Sequence, residues 1–193
     1  RVTLRDVAAE AASHGVRVQS GALCATRLTV RGATQRGVLA LEGSSVFLRD
    51  FVVHGGGVGV LVDRGHLFAA RGLVADNDRD GVVVRGALRG SACLDDSQCA
   101  SASPCDGFEY TERCTRDVGA MPASRCRSVD LVTDVAVLRN TVTGLRASRS
   151  TPTNDEVAAG RRDEVLAYAG PLLMATRVVL GATRALPDAL RKN

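Results

Sequence analysis

The dipeptide Gly-Val recurs at Gly15-Val16, Gly37-Val38, Gly59-Val60 and Gly81-Val82, each step being 22 residues. Arg5, Arg27, Arg49 and Arg71 keep the same step. So do Val2, Cys24, Val46 and Phe68, then Ala8, Val30, Val52 and Val74, and finally Val18, Ala40, Val62 and Val84. Gly21, Gly43 and Gly65 close three units, and Gly86 falls one residue early. A pair of packed helices needs about 33 residues or more, so this period is too short for helical repeats. Within a unit the apolar residues alternate, as in Val16-x-Val18 and Val60-x-Val62, which is the period of a strand. A lone strand cannot bury a face. Stacked units can, with equivalent residues about 4.8 Å apart, apolar ladders inside and polar ladders outside.

The period breaks and then resumes. Residues 131–147 (LVTDVAVLRNTVTGLRA) match 68–84 with a shift of 63, which sets Asn140 and Gly144 where Asn77 and Gly81 stood. LMATRVVLGAT, from Leu173, echoes LCATRLTVRGAT, from Leu23, and puts Met174 in the column of Cys24. The expected organisation is therefore repeat units over 1–87, a Cys-rich insertion over 88–128, and resumed units over 129–193 with a basic tail from residue 182. Within that last part, 154–170 reads either as a helix capped by Asn154 or as one irregular unit, the helix being preferred.

These columns, and the N-x-x-x-G-[VL]-x-[VA] rung at 77–84 and 140–147, resemble the right-handed parallel β-helix of pectate lyases and their relatives. The resemblance implies an all-β chain forming a right-handed parallel β-helix (solenoid) of about six or seven coils. It implies little about activity, because this fold carries lyases, hydrolases, epimerases, adhesins and scaffolds. Leucine-rich repeats have a similar length, but their L-x-x-L-x-L-x-x-N spacing is absent.

Hydrophobic residues make up 45% of the 193 and aromatics 3%, with no Trp, so the core is built from Val, Leu and Ala. The net charge of +4 is too mild to single out a polyanion, and Lys192 is the only Lys, a skew that fits a GC-rich genome. No apolar run approaches 18 residues, so no helix in this sequence is expected to span a membrane. Phosphate loops, nucleophile elbows and nucleic-acid motifs are lacking, and no nucleic-acid partner is expected. The chain opens at Arg1 inside its own pattern, which reads as a piece of a longer protein with further coils.

Five of six cysteines fall in the insertion: Cys93, Cys99, Cys105, Cys114 and Cys126. A long aperiodic segment needs staples, and disulfides in an extracellular or envelope compartment are expected. Intervals of 5, 5, 8 and 11 residues, with no C-x2-C pair and no nearby His, suit zinc poorly. The insertion resembles short Cys-rich inserts in secreted proteins of GC-rich bacteria. Five being odd, one of these thiols is free, bonded outside the segment, or bonded to Cys24. Cys24, in a column with Val2, Val46, Phe68, Leu131 and Met174, is expected to be a reduced core residue. Phe108 and Tyr110 are expected to be exposed and open to a partner.

Three groups carry the functional expectations. Arg5, Arg27, Arg49 and Arg71 stack on one outer edge and suit an acidic polysaccharide, or else are balanced by Asp6 and Asp50. His54 falls in register with Asp76, next to Asp78 and Asp80, a cluster suited to acid–base work or to calcium. The DNDRDG run at 76–81 opens like an EF-hand loop but has Ala87 where that loop requires Glu. No complete catalytic constellation emerges. The leading expectation is a secreted or envelope module offering a binding or structural surface towards carbohydrate. The alternative is a fragment of a polysaccharide lyase or glycoside hydrolase acting on acidic glycans.

Overall fold

The structure is a computed structural model of the chain and describes residues 1–10, 12–86, 89–100, 102–116, 124–149, 157–159 and 172–181. Of the stretch expected to be a helix, 154–170, only 157–159 falls among them, and the tail from 182 lies outside. The strands are β1 (Val2–Glu10), β2 (His14–Val18), β3 (Gly21–Arg31), β4 (Arg36–Ala40), β5 (Ser44–His54), β6 (Val58–Asp63), β7 (His66–Ala75), β8 (Val82–Arg85), β9 (Arg89–Ala92), β10 (Glu112–Arg116), β11 (Ser124–Leu138), β12 (Leu145–Ser148), β13 (Leu172–Thr176) and β14 (Val179–Leu180). The chain is all-β. Among the described residues no helix is long and apolar enough to cross a membrane.

The chain visits two sheets in turn. The long strands β1, β3, β5, β7 and β11 lie side by side in one, and the short strands β2, β4, β6, β8 and β12 in the other, every one of these pairings being parallel. β13 and β14 add to the far side of β11, also in parallel. The inward residues of both sheets, among them Leu23, Val30, Val46, Phe51, Val60, Val62, Val84 and Val132, form one continuous core. β11 is shared: its first residues pair antiparallel with β10 and β9 of the insertion, and the rest continues the long-strand sheet.

The Gly-Val column reflects close approach between successive passages. A Cβ on Gly37 would lie 2.3 Å from Val53 Cγ1 and 2.5 Å from the Gly59 carbonyl, and one on Gly59 would lie 2.4 Å from Val74 Cγ1 and 2.6 Å from the Gly81 carbonyl. Buried Asn77 and Asn140 complete this corner. Asn77 Nδ2 donates to Asn140 Oδ1 at 2.7 Å, and Asn77 Oδ1 accepts from the Gly56 N–H at 3.3 Å. The N-x-x-x-G rung is thus an amide ladder followed by a glycine that has no room for a side chain.

The 22-residue period holds only in the short-strand sheet, where His14 pairs with Arg36, Val38 with Val60 and Val60 with Val82. In the long-strand sheet the step alternates: Val2 pairs with Leu23, Leu23 with Val46, and Val46 with Leu67. Inward residues keep one spacing within each long strand, Leu23 to Val30, Val46 to Val53 and Leu67 to Val74, so the connections absorb the difference. An offset of one residue reverses the face of a side chain. The expected column Val2, Cys24, Val46, Phe68 therefore divides. Val46 points into the core with Leu23 and Leu67, whereas Cys24 packs with Phe47 and Phe68 on the outer face. Likewise the inward row is Ala9, Val30, Val53 and Val74 rather than one through Ala8 and Val52. Arg64, not Gly65, takes the left-handed corner shared with Gly21, Gly43 and Gly86.

Gly59→Ala is expected to cost about 3 kcal/mol in urea unfolding, since backbone atoms cannot yield to the new methyl group. Gly43→Ala, with φ of 76° but nothing within 4 Å of its Cβ, is expected to cost only about 1 kcal/mol. The reverse order would contradict the packing described.

Candidate functional site

The middle of each long strand carries a residue in the left-handed region: Asp6 (φ 53°), Arg27 (54°), Asp50 (55°), Arg71 (52°) and Asp134 (54°), and Arg177 (50°) stands likewise between β13 and β14 beside β11. Acid and base alternate along this row. Arg27 grips Asp6 through both Nε and Nη2, Arg71 grips Asp50 with two bonds of 2.7 Å, and Arg177 grips Asp134 in the same way. These bonds hold the carboxyls of Asp6, Asp50 and Asp134 below the usual carboxylate range. The next corner repeats the device once, Arg139 (φ 50°) gripping Asp76 (φ 56°) at 2.8 and 2.7 Å.

The four arginines expected in one column thus occupy two rows. Arg27 and Arg71 belong to the ladder, while Arg5 pairs in register with Thr26, and Arg49 with Thr26 and Ala70. They nevertheless line one groove of about 330 Å³, together with Arg1, Asp50, Asp106 and Phe108. Arg1 donates to Asp106 at 3.0 Å. The Arg49 guanidinium lies 4.5 Å over the Phe108 ring and donates to the Gly107 carbonyl. A second hollow of about 470 Å³ also borders Arg49 and Arg71 and is floored by Phe68, Leu131 and Thr133.

The insertion forms one wall. Cys105 is bonded to Cys24, with Cα atoms 5.6 Å apart, so Cys24 is neither reduced nor part of the inner core. Cys93–Cys114 and Cys99–Cys126 complete the set, and no cysteine is free. Three bridges fit an oxidising environment. Phe108 and Tyr110, expected to be exposed, are half-buried on the outer aromatic cluster. Phe108 meets Phe47 and Phe68 edge-on at 5.8 and 5.6 Å, and Tyr110 meets His66 edge-on at 4.8 Å.

His54 and the acidic triplet do not assemble. His54 pairs in register with Arg31 and Ala75, and it is Gly55 whose N–H reaches the carbonyl of Ala75 next to Asp76. Asp76 is held by Arg139, buried Asp80 accepts from Thr143 Oγ1 at 2.6 Å, and Asp78 is exposed. Among the described residues the one group of three or more metal-type ligands that converge is Cys93, Cys99 and Cys126, all of them in disulfides.

A buried polar cluster under the insertion was not legible in the sequence. His66 and Asp130 are 1% and 0% exposed, and Asp130 Oδ1 accepts from the Leu67 N–H at 2.7 Å. Both His66 nitrogens, Asp130 Oδ2 and Ser128 Oγ are buried without a hydrogen-bond partner among the described residues. At 3.7 Å the His66 Nδ1–Asp130 Oδ1 contact is too long to be a hydrogen bond. Burial disfavours both charges, lowering His66 to about 3 and raising Asp130 to about 8 against the opposing pull of the Leu67 N–H. Tyr110 is raised as well, by burial and then by its bond to Glu112 at 2.6 Å. Only the isolated His66, at the start of a unit, marked this cluster, and it does not reveal that strand and insertion close over it.

The linkage has a definite sign. Between about pH 4 and 6.5 folded and unfolded chains each hold one proton on this pair, so the two effects cancel. From about 6.5 to 8 only the folded chain holds it, so stability is expected to fall by about 1.4 kcal/mol per pH unit. Asp130→Asn is expected to flatten that decline and, with the cancellation gone, to make stability rise with pH between about 4 and 6.5. A wild-type curve already flat between pH 6.5 and 8 would contradict a protonated Asp130. Comparison of the chain with family models, with curated proteins and with solved structures returned no match.

Proposed function

We propose that the chain folds as a parallel β-helix of a secreted or envelope protein, and that the groove beside its insertion binds an acidic polysaccharide. The alternation between two parallel sheets, one strand added to each per passage, supports reading the passages as coils. The left-handed residues that recur at equivalent corners support it too. Three disulfides support an extracellular setting.

One observation carries the binding reading: five arginines face a single groove that holds two carboxylates, Asp50 and Asp106. Arg27 and Arg71 are committed to the ladder and Arg1 to Asp106. Arg5 and Arg49 therefore carry the uncompensated charge. They lie two strands apart, about 10 Å, on a row whose other positions are Thr26 and Ala70. Arg49 is pre-oriented by Gly107 and Phe108, which lowers the entropy lost on binding. Guanidinium groups so held suit uronate carboxylates, which accept two parallel N–H bonds. Lyase or hydrolase chemistry would need an uncommitted acid–base pair here, whereas Asp50 and Asp106 are both engaged by arginine. Binding is the reading this favours.

On immobilised polygalacturonate the protein is expected to be retained at low salt and released as salt rises, with no retention on a neutral glucan. Arg49→Ala and Arg5→Ala are each expected to weaken binding about 3- to 10-fold, while Arg146→Ala, on the second sheet, changes nothing. Retention indifferent to salt, or to both groove substitutions, would overturn the proposal.

A further inference from the structure

Three sulfurs of the insertion converge, and a fourth is bonded to one of them, although their sequence intervals do not suggest it. Cys114 lies opposite Cys126 across the β10–β11 pair, and Cys93 follows β9 on the other side of β11, its N–H donating to the Ser124 carbonyl at 3.1 Å. Cys99 closes the single 3-10 turn Asp96–Gln98, and that turn is tied to β10 by the Cys114 N–H, which donates to Asp96 Oδ1 at 2.7 Å. The Sγ atoms of Cys93, Cys99 and Cys126 consequently lie within 4.8 Å of one another, with Cys114 bonded to the first.

We propose that, once reduced, this cluster is a four-thiolate site for a soft divalent cation such as Zn²⁺, so that metal and disulfides are alternative staples of the insertion. Each bridge takes two electrons and two protons from a dithiol, which closes to its own disulfide, and four thiols result. Zn²⁺ then forms four Zn–S bonds as four protons leave. A tetrahedral centre with bonds of about 2.3 Å sets its sulfurs about 3.8 Å apart. Cys93 and Cys126 are 6% and 0% exposed, which shields the metal–sulfur bonds from water. Poor sequence spacing is overcome because three strands and a turn supply the ligands, rather than one knuckle. Cys24–Cys105 belongs to a separate apolar cluster and takes no part.

The test uses the full chain, reduced with a thiol-free phosphine, with and without zinc, followed by timed alkylation and mass spectrometry. One zinc per chain is expected after gel filtration. Zinc is expected to slow alkylation of Cys93, Cys99, Cys114 and Cys126 at least ~10-fold and to leave Cys24 and Cys105 unaffected. Cobalt in place of zinc should give a thiolate-to-metal charge-transfer band, and Cys126→Ser should bind zinc ~10–100-fold more weakly. Protection of all six cysteines alike, of only a subset of the four, or of none would overturn the proposal, whether or not the serine variant folds.

Discussion

A left-handed residue in the middle of every long strand is the constraint on which the rest depends. For a residue other than Gly that conformation costs roughly 1–2 kcal/mol. Here it recurs at Asp6, Arg27, Asp50, Arg71, Asp134 and Arg177. The bend divides each long strand into two faces, letting the first sheet curl about a core that the short strands close. Glycine would relieve the backbone but could not carry the side chains that join one passage to the next. Exposed ion pairs contribute little energy singly. Their contribution here is one of register, since each bidentate grip fixes which residue lies over which.

The groove follows from the same row. Because acid and base alternate along it, its charges neutralise one another and the row alone attracts nothing. Uncompensated charge appears one residue earlier, at Arg5 and Arg49, where the neighbours Thr26 and Ala70 are uncharged. The insertion then turns a flat face into a wall-and-floor arrangement by anchoring Cys105 to Cys24 and stacking Phe108 beneath Arg49. The proposed binding function therefore depends on the disulfide-tied insertion as much as on the arginines themselves.

Much of this was legible in the sequence, and the limit has a physical form. The Gly-Val step identified strands correctly, and its 22-residue spacing is that of the short-strand sheet, because a glycine with no room for Cβ cannot drift along the sequence. The N-x-x-x-G rung was likewise readable, its amide being paired across passages. The long strands were placed wrongly by one residue at every second passage. Connections that differ by one residue leave the average period at 22 while shifting alternate rows by one, and in a strand that exchanges inside for outside. That one offset accounts for the misplacement of Cys24, for the apparent arginine column and for the pairing of His54 with Asp76. The shift of 63 residues sets Asp130 over Leu67, next to His66, but the burial of the two could not have been read from sequence, because the insertion that covers them has no repeat to place it.

The central claim is that the long strands step unevenly, so that Cys24 faces outward and holds the insertion in place. Peptide mapping of the unreduced, alkylated protein tests it most directly. A cross-linked peptide joining Cys24 to Cys105 is expected, with no alkylated cysteine anywhere in the chain. Cys24 recovered as an alkylated free thiol would contradict the account, because it would return that side chain to the inner core and restore an even 22-residue register.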